Sequence, residues 1–549
     1  MIINNCFKIR GLILVATLIT SLGFVNHAFA LPDFVVPDIT GPTTIIRESG
    51  GETTIPIEVV VGNQGTDPAR LYGKNNIVYT YESGAAFMAP FKTPFETNSH
   101  FFRRKAWIDP GSRVTLNGTV KVPSPRLNEV ISLSAIVDWC KSPSGTEHCR
   151  VRESNEKNNE SQQISTEICT PGPFSNPVQV QGISDLGPLP TGMSVNWPRA
   201  PSIEGKPVRI SNLSQFEHYF YNDDVDKSRT RFEFHTNINR PVPVNASDVE
   251  IVIMPGFKLR NIDLVGSVQR IKISGGGEVG QITARVGLIT PVMTADDSGY
   301  ITDVLIDHIT LDNSDRSLCP GDDAATDECY GVMLQGVRRV AVVNSTINSL
   351  VYSIVAWKPL TSPSILPQNQ DIITANNRLH SKNGRQATVR MHDSVRTVTV
   401  HNRLQNGADY SGDGVIMDVK HNYRVHGFPV DGFSDRGGAR YAYAACNLFV
   451  NSGAMIGEGA GPVGDEPEDV RHYWFNSNQF HQSANSLYQM GFSETRTPYV
   501  HNAEIRGNRA YSAVSWHLAP PRCFYCPSGA PADWVIRDNV VEPHQMPPD

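Results

Sequence analysis

The sequence predicts an all-β protein whose C-terminal part is a stack of short repeated β units. From residue 331 to 543, short alternating apolar runs recur, and a second β-rich run follows each of them. The second run usually ends in Asn or an Asn pair, and polar loops of variable length separate the copies. Strand-sized runs without helical periodicity make each unit all-β. The copies start at Gly331, Tyr352, Ala387, Gly414, Phe428, Ala454, Ser486 and Val514.

The recurrent Asn residues predict a shared corner. An Asn amide can hydrogen-bond the Asn of the coils above and below, and Asn tolerates the left-handed backbone of a tight corner. These units, with their V-x-x-N-N corners, resemble the right-handed parallel β-helix of the pectate-lyase type. The resemblance implies a single-stranded right-handed parallel β-helix over residues 203–549, with weaker coils at 249–254, 271–274 and 304–311.

A short amphipathic helix is predicted over residues 211–221, just ahead of the first coil. Ser211 or Ser214 would be its N-cap, and Phe216, Tyr219 and Phe220 would share one side. An uncovered first coil would expose apolar core and unpaired strand edges. We therefore expect this helix to cover that end of the stack.

The first thirty residues predict an export signal. Lys8 and Arg10 precede an apolar run over residues 11–24, and small residues around Ala30 offer a cleavage site. We expect residues 1–30 to be removed and the mature protein to be secreted, periplasmic or displayed on the cell surface. The apolar run is too short for a membrane anchor, and no later segment is long and apolar enough to cross a bilayer.

Residues 31–170 predict a separate β-sandwich, because residues 53–61, 113–120 and 131–137 alternate with period two. The motifs V-x-N-Q-G-T, D-P-G-S and E-S-N-E-x-N-N resemble the bacterial adhesion-related immunoglobulin-like domain called CARDB. The resemblance implies a spacer or binding module. Residues 171–202 are rich in Pro, Gly and Ser without periodicity, which predicts a linker.

Charge restricts the class of partner. The formal net charge is −7, and removal of Lys8 and Arg10 with the signal makes it −9. An acidic protein argues against nucleic acid as the partner. A polyanionic sugar chain would need basic residues concentrated at one place. We expect an acidic polysaccharide as the partner, no membrane span, and a monomer.

The cysteines predict disulfides in an exported chain. Cys140 with Cys149 and Cys319 with Cys329 each bracket a short polar loop, which favours local pairing. Cys523 and Cys526 form an isolated C-x-x-C, which favours a structural disulfide or a weak metal site. The sequence leaves open whether Cys169 and Cys446 meet.

Ionisable residues recur on the predicted outer face of successive coils. In residues 387–393 the apolar Val389 and Met391 would point into the core, so Arg390 and His392 would point outward. Lys358 ends the preceding strand, and Gln335 would also be exposed. These positions predict a catalytic group formed by Lys358, Arg390 and His392. The outward residues expected to bind substrate are Trp357, Asp418, Lys420, Glu458, Tyr488 and His517.

Such a group suits proton abstraction from carbon 5 of a uronic acid. Arg390 would neutralise the carboxylate, while Lys358 or His392 would be the base. Lys358 and the 388–390 and 398–402 strands are similar to the chondroitinase B and alginate lyase group, in which Lys and Arg on neighbouring coils act as base and acid. Residues 391–394 are similar to the D-P-H-D strand of mannuronan epimerases, with Arg390 at the first Asp.

Three functions remain open at this point. Departure of the glycosidic oxygen gives a polysaccharide lyase, which we expect, and reprotonation from the other face gives a carbon-5 epimerase. A non-catalytic adhesin or glycan-binding protein is the third. Calcium is the one candidate cofactor, although a disulfide-closed polar loop needs no ion. Its candidate ligands are Asp322, Asp323 and Asp327.

Overall fold

A computed structural model describes most of the chain outside the first thirty residues. The described residues are 31–48, 51–70, 76–81, 86–90, 107–123, 125, 128–137, 153, 155, 157–174, 179–285, 300–314, 330–356, 369–382, 388–392, 394–406, 415–420, 440–450, 453–458, 461–463, 466–468, 470–481, 500–512 and 534–543. They form two compact units. One comprises the described parts of 31–41, 54–121 and 132–164, and the other those of 42–53, 122–131 and 165–549.

The N-terminal strands form two sheets and one short pair. The orders are β1-β3-β8 and β2-β10-β9-β5-β6, while β4 pairs antiparallel with β7. The alternating burial along β3 agrees with the predicted half-buried strand at 53–61. The strands are β1 Phe34–Thr40, β2 Thr44–Ile46, β3 Glu52–Asn63, β4 Ala69–Arg70, β5 Asn76–Tyr81, β6 Ala86–Pro90, β7 Trp107–Ile108, β8 Arg113–Pro123, β9 Glu129–Ile136 and β10 Ile164–Cys169.

The rest of the chain is built from short parallel strands, preceded by a 3-10 helix at Ile183–Leu186, strand β11 at Val208–Ile210 and helix α1 at Leu213–Phe220. The next strands are β12 Thr230–Phe234, β13 Ile238–Val244, β14 Val249–Ile253, β15 Lys258–Val265, β16 Gln269–Ser274, β17 Glu278–Val279, β18 Ile282–Arg285, β19 Ile301–Asp307, β20 Thr310–Asn313, β21 Tyr330–Gln335, β22 Val337–Val343, β23 Thr346–Ser349, β24 Tyr352–Ala356, β25 Asn369–Ala375 and β26 Arg378–Ser381.

The last strands continue the same pattern. They are β27 Val389–His392, β28 Ser394–Val400, β29 Arg403–Asn406, β30 Val415–Lys420, β31 Arg440–Ala445, β32 Leu448–Val450, β33 Gly453–Glu458, β34 Gly461–Val463, β35 Glu466–Glu468, β36 Val470–Asn476, β37 Gln479–His481, β38 Val500–Arg506, β39 Arg509–Ser512, β40 Val535–Arg537 and β41 Val540–Pro543. β34 and β35 form a separate antiparallel pair.

The parallel strands line up in three columns. Sheet I contains twelve strands in the order β11-β12-β14-β16-β19-β22-β25-β28-β31-β36-β38-β40. A second parallel sheet divides after β15 into two columns. Column II runs β17-β20-β23-β26-β29-β32-β37-β39-β41, and column III runs β18-β21-β24-β27-β30-β33.

From β16 to β33, each coil supplies one strand to each column in turn. After β22, β23 and β24, the chain returns in β25 beside β22, and β26 and β27 then pair with β23 and β24. Apolar residues of all three columns share one buried core that extends from Ile210 to Trp534. The chain is therefore all-β with long parallel sheets, which confirms the predicted class and is compatible with a parallel β-helix.

The number of coils differs from the prediction at one place. The copies starting at Gly414 and Phe428 were expected to form separate coils. Strand β28 pairs directly with β31, while β30 pairs with both β27 and β33, which leaves no room for an additional coil between them. In the described strands, β28–β30 and β31–β33 are therefore successive coils, and the two copies do not form separate ones.

Helix α1 covers the first coil, as expected. Phe216 and Phe220 are buried and pack against Phe232 and Phe234 of β12, with ring centroids 4.9 Å apart for Phe220 and Phe232. The N-cap is Asn212 rather than either predicted serine, because its side chain accepts a hydrogen bond from the Gln215 backbone at 2.9 Å. Within the described residues, no helix is long and apolar enough to cross a membrane.

An asparagine ladder joins the corners between sheet I and column II, which confirms the predicted role of the recurrent Asn. Each side-chain amide donates to the side-chain oxygen of the Asn one coil further on, at 2.9–3.1 Å, through Asn377, Asn402, Asn447, Asn478, Asn508 and Asn539. The left-handed conformation lies one residue earlier than expected, for example at His401 with φ 54° and Cys446 with φ 56°. The ladder hydrogen bond and the left-handed backbone conformation are thus provided by neighbouring residues.

The substitution Asn447→Ala should lower the free energy of unfolding by about 3 kcal/mol, because it leaves several buried polar groups without a partner. The Asn447 side chain bonds to the Thr399 carbonyl at 2.8 Å and accepts from the Asn402 backbone at 3.0 Å. Denaturant unfolding would measure the change. The matched control, Asn348→Ala, removes a half-buried Asn from the outer face of β23 and should cost far less. Equal losses in the two variants would contradict the assignment.

A second ladder crosses the outer face of sheet I and alternates in charge. Asp248, Arg270, Asp303, Arg339, Asp371 and Arg396 all have φ between 53° and 59°. The pairs are Arg270 with Asp248 at 2.6 Å, Arg339 with Asp303 at 2.7 Å, and Arg396 with Asp371 at 2.6 Å. We call this set the Asp/Arg ladder. It gives each left-handed backbone position a charged hydrogen-bonding partner one coil away.

The segment 165–202 packs along the outer face of sheet I, although residues 171–202 were predicted to be a linker. Val180, Met193 and Val195 are buried in a cluster with outward residues of sheet I, including Val343 and Val400. Backbone amides of the segment also donate hydrogen bonds to the corner residues Asn376 and Asn344 and to Asp371 of the Asp/Arg ladder. Since the partners of the segment are residues of distant coils, the segment needs no periodicity of its own.

A disulfide joins the segment 165–202 to the coils through the two cysteines whose pairing the sequence left open. Cys169 pairs with Cys446, with their Cα atoms 6.0 Å apart and 277 residues between them in sequence. Next to it, His401 Nε2 contacts Glu167 Oε1 at 2.9 Å, and both side chains are buried. A covalent bond and a buried polar contact therefore join the start of the segment to the corners.

Candidate functional site

The outer face of column III carries the predicted catalytic strand. In β27, Val389 and Met391 are buried in the core, while Arg390 between them is half-buried on the opposite face. This alternation follows from the pleat of a strand, in which successive side chains point to opposite faces. The expected inward and outward positions of these three residues are confirmed.

The strand register aligns the predicted ionisable residues of neighbouring coils. Arg390 is the Cα partner of Asp418, and His392 is the partner of Lys420. On the next coil, Lys420 is paired with Glu458 after a register irregularity. Neighbouring strands lie about 4.8 Å apart, so these five backbone positions fall on three consecutive coils of one face.

Arg390 is held by an aromatic partner on the preceding coil. Its Nη1 donates a hydrogen bond to the Tyr352 hydroxyl, and its guanidinium carbon lies 5.2 Å from the centre of the Tyr352 ring. Tyr352 is 3% exposed. The contact combines a hydrogen bond with a cation–π interaction, which fixes the direction of the guanidinium. Sequence reasoning missed Tyr352, and its only signal was an aromatic residue opening the strand one repeat earlier.

The ionisable stripe does not continue toward the N-terminal coils. Met333 and Val355 lie in the same row as Arg390, and both are buried in a small apolar cluster with Tyr352. Gln335 lies on the outer face as predicted, but its exposure was predicted wrongly, since it is 1% exposed. Its side-chain oxygen has no hydrogen-bond partner among the described residues. The group of ionisable residues around Arg390 therefore begins at β27.

A carboxyl group with a raised pKa lies in the same row but far from Arg390. Burial raises the pKa of Asp263, and hydrogen bonds from Asn261 and Thr283 partly offset the effect. Strands β18, β21 and β24 separate Asp263 from the strand of Arg390. At about 4.8 Å per step the separation is about 19 Å, so the two groups cannot act on the same sugar unit.

Several predicted residues lie outside the described part of the chain. They are Lys358, Trp357, Tyr488 and His517 of the predicted site, Asp322, Asp323 and Asp327 of the calcium loop, and the cysteines at 140, 149, 319, 329, 523 and 526. Their roles stay predictions.

Comparison with known proteins finds no protein-family model, no curated protein and no solved structure that matches this chain. The interpretation of the column III face therefore rests on its own geometry. A guanidinium held by a buried tyrosine, next to the aligned positions of His392, Asp418 and Lys420, can bind a carboxylate and move protons near it.

One buried group in the described residues has the composition of a metal site. Ligand atoms of Glu167, His401 and Cys446 lie within 4.8 Å of one another. The Cys446 sulfur is already bonded to Cys169, and Glu167 is already in contact with His401. This group therefore serves as a structural contact in the oxidised protein.

Proposed function

We propose that the protein is a secreted carbohydrate-active enzyme that cleaves a uronate-containing polysaccharide by β-elimination on the outer face of column III. The observation that supports this most is the register of β27 and β30, which aligns Arg390 with Asp418 and His392 with Lys420. Cations on consecutive coils of a rigid sheet suit an anionic chain laid across the coils.

In the proposed reaction Arg390 binds the uronate carboxylate and neutralises the charge that builds on it when the carbon-5 proton leaves. His392 or Lys358 takes that proton. The electron pair of the broken C–H bond forms a double bond between carbons 4 and 5, and the bond from carbon 4 to the glycosidic oxygen breaks. The departing oxygen takes up a proton, so one chain becomes two.

The remaining assignments belong to the same proposal. The β-helix is right-handed and of the pectate-lyase type, and residues 31–170 form an immunoglobulin-like module similar to CARDB. The two sheets built from β1–β10 support a sandwich of this kind. In an exported protein such a module would serve as a spacer or a binding module for the catalytic part.

An elimination assay tests the proposed function. The purified protein is mixed with alginate, pectate or chondroitin, and the ultraviolet absorbance of the unsaturated uronate is followed. A rise with one of these substrates is the expected result. If the absorbance stays constant while NMR shows altered sugar stereochemistry, the protein is an epimerase and not a lyase. If it binds with neither change, it is an adhesin or glycan-binding protein.

A further inference from the structure

A second outer face, on column II, carries basic residues in alternation along one strand. In and just after β26, Arg378, His380 and Lys382 alternate with the buried residues Leu379 and Ser381. Arg378 and Lys382 are exposed and His380 is half-buried. At about 3.3 Å per residue, the three side chains begin within about 13 Å of one another on one face.

The neighbouring coils place hydrogen-bonding side chains beside this strand. The preceding coil aligns Thr346 with Arg378 and Asn348 with His380. The following coil aligns Arg403 with Arg378 and Gln405 with His380. Beyond Arg403 and Gln405, the buried Leu448 and Val450 end the polar surface. We call Arg378, His380, Lys382 and their aligned neighbours the column II basic patch.

In the described part of the chain, neither Arg378 nor Lys382 forms an ion pair with a carboxylate, and the Lys382 amine contacts only the Ser314 carbonyl oxygen, at 3.4 Å. Burial and then the charge of Lys382 lower the pKa of His380. Like charges on one strand repel each other, so a bound anion would stabilise the arrangement.

We propose that the column II basic patch binds an acidic polysaccharide without cleaving it, as a second site on a different column from Arg390. The chain carries a net charge of −7, so a local excess of cations is the condition for attracting a polyanion. Thr346, Asn348 and Gln405 match the hydroxyl groups that a sugar chain presents beside its carboxylates. The overall negative charge disfavours the more densely charged nucleic acids.

Charge reversal of the full-length protein tests the proposal. The double variant Arg378→Glu/Lys382→Glu should weaken the binding of polygalacturonate or alginate by at least about tenfold at low salt, measured by affinity electrophoresis or calorimetry. The neutral pair Arg378→Gln/Lys382→Gln should weaken it less, in the same direction. The matched control Lys206→Glu/Arg209→Glu makes the same charge change at exposed positions near the first coil and should bind as the wild type does.

The outcomes separate this proposal from the proposed lyase activity. The second site would be overturned if both patch variants bound the polysaccharide as tightly as the wild type does. It would also be overturned if the control variant lost as much affinity as the patch variants. A wild-type protein that binds neither polysaccharide would overturn it too, as would patch variants that lose only the binding of duplex DNA. If the patch variants lose binding and the wild-type protein shows no elimination, the second site is supported and the proposed lyase activity is contradicted. Elimination of short oligouronates should be unchanged in the patch variants.

Discussion

The variant Arg390→Ala should lose about a hundredfold to a thousandfold in kcat for polyuronate elimination, because it removes the group that stabilises negative charge in the transition state. The loss should appear in kcat more than in KM, since the carboxylate gains charge only as the carbon-5 proton leaves. Initial rates of ultraviolet absorbance over a range of substrate concentrations would measure both constants. Arg390→Lys should recover only part of the rate, because an ammonium lacks the planar fork that Tyr352 orients.

Two controls separate catalysis from stability in this experiment. Arg390→Ala removes the hydrogen bond between Arg390 and the Tyr352 hydroxyl, which should cost about 1–3 kcal/mol, so unfolding of each variant must be measured alongside activity. Arg209→Ala removes an exposed arginine from β11 and should retain full activity. Full activity in folded Arg390→Ala would remove the proposed site.

The variant Asp303→Ala should lower the free energy of unfolding by about 3–5 kcal/mol, because it removes the buried carboxylate that pairs with Arg339 and Arg199. The Asp303 side chain is 0% exposed and accepts hydrogen bonds from Arg339 at 2.7 Å and Arg199 at 2.8 Å. Denaturant unfolding is the measurement. As a control, Glu204→Ala breaks the exposed pair with Arg229 and should cost less than about 1 kcal/mol. Similar losses in the two variants would contradict a special role for the buried ladder.

The same residue predicts a pH dependence. Burial acts to raise the pKa of Asp303, but the hydrogen bonds from Arg339 and Arg199 and the charge of Arg339 outweigh it and lower the pKa to about 2. Because the folded pKa lies below the ordinary 3.8, ionised Asp303 stabilises the fold above about pH 4, and this stabilisation is lost as the pH falls toward 2. The stability difference between the wild type and Asp303→Asn should therefore narrow over that interval. A stability difference that stays constant over this pH range would show that Asp303 is not the group whose protonation destabilises the fold.

The fold was largely predictable because its signals are local and repeated. Period-two alternation placed the inward and outward residues of β27 correctly, and the recurrent Asn predicted the corner ladder. The count of coils failed at the copies starting at Gly414 and Phe428, because the sequence does not show that β28 pairs directly with β31. The contacts of the Pro- and Gly-rich segment 171–202 could not be predicted, because its partners are polar residues on coils far away in sequence, such as Asn344 and Asp371.

The Asp/Arg ladder shows what sequence reasoning overlooked. Arg339 and Asp303 are 36 residues apart, and Arg396 and Asp371 are 25 apart, so no fixed spacing links them. A signal was nevertheless present. A charged residue stands directly before the apolar run of each sheet I strand, and its sign alternates from one coil to the next, from Asp248 to Arg396. Likewise, Tyr352 could be tied to Arg390 only after the register was known.

The most direct measurement is a crystal structure of Arg390→Ala soaked with a uronate oligosaccharide. We expect the sugar chain to cross the outer face of column III, with a carboxylate above β27 and β30, beside position 390. Sugar bound only to another face, or a carbon-5 proton out of reach of both His392 and Lys358, would contradict the proposed function.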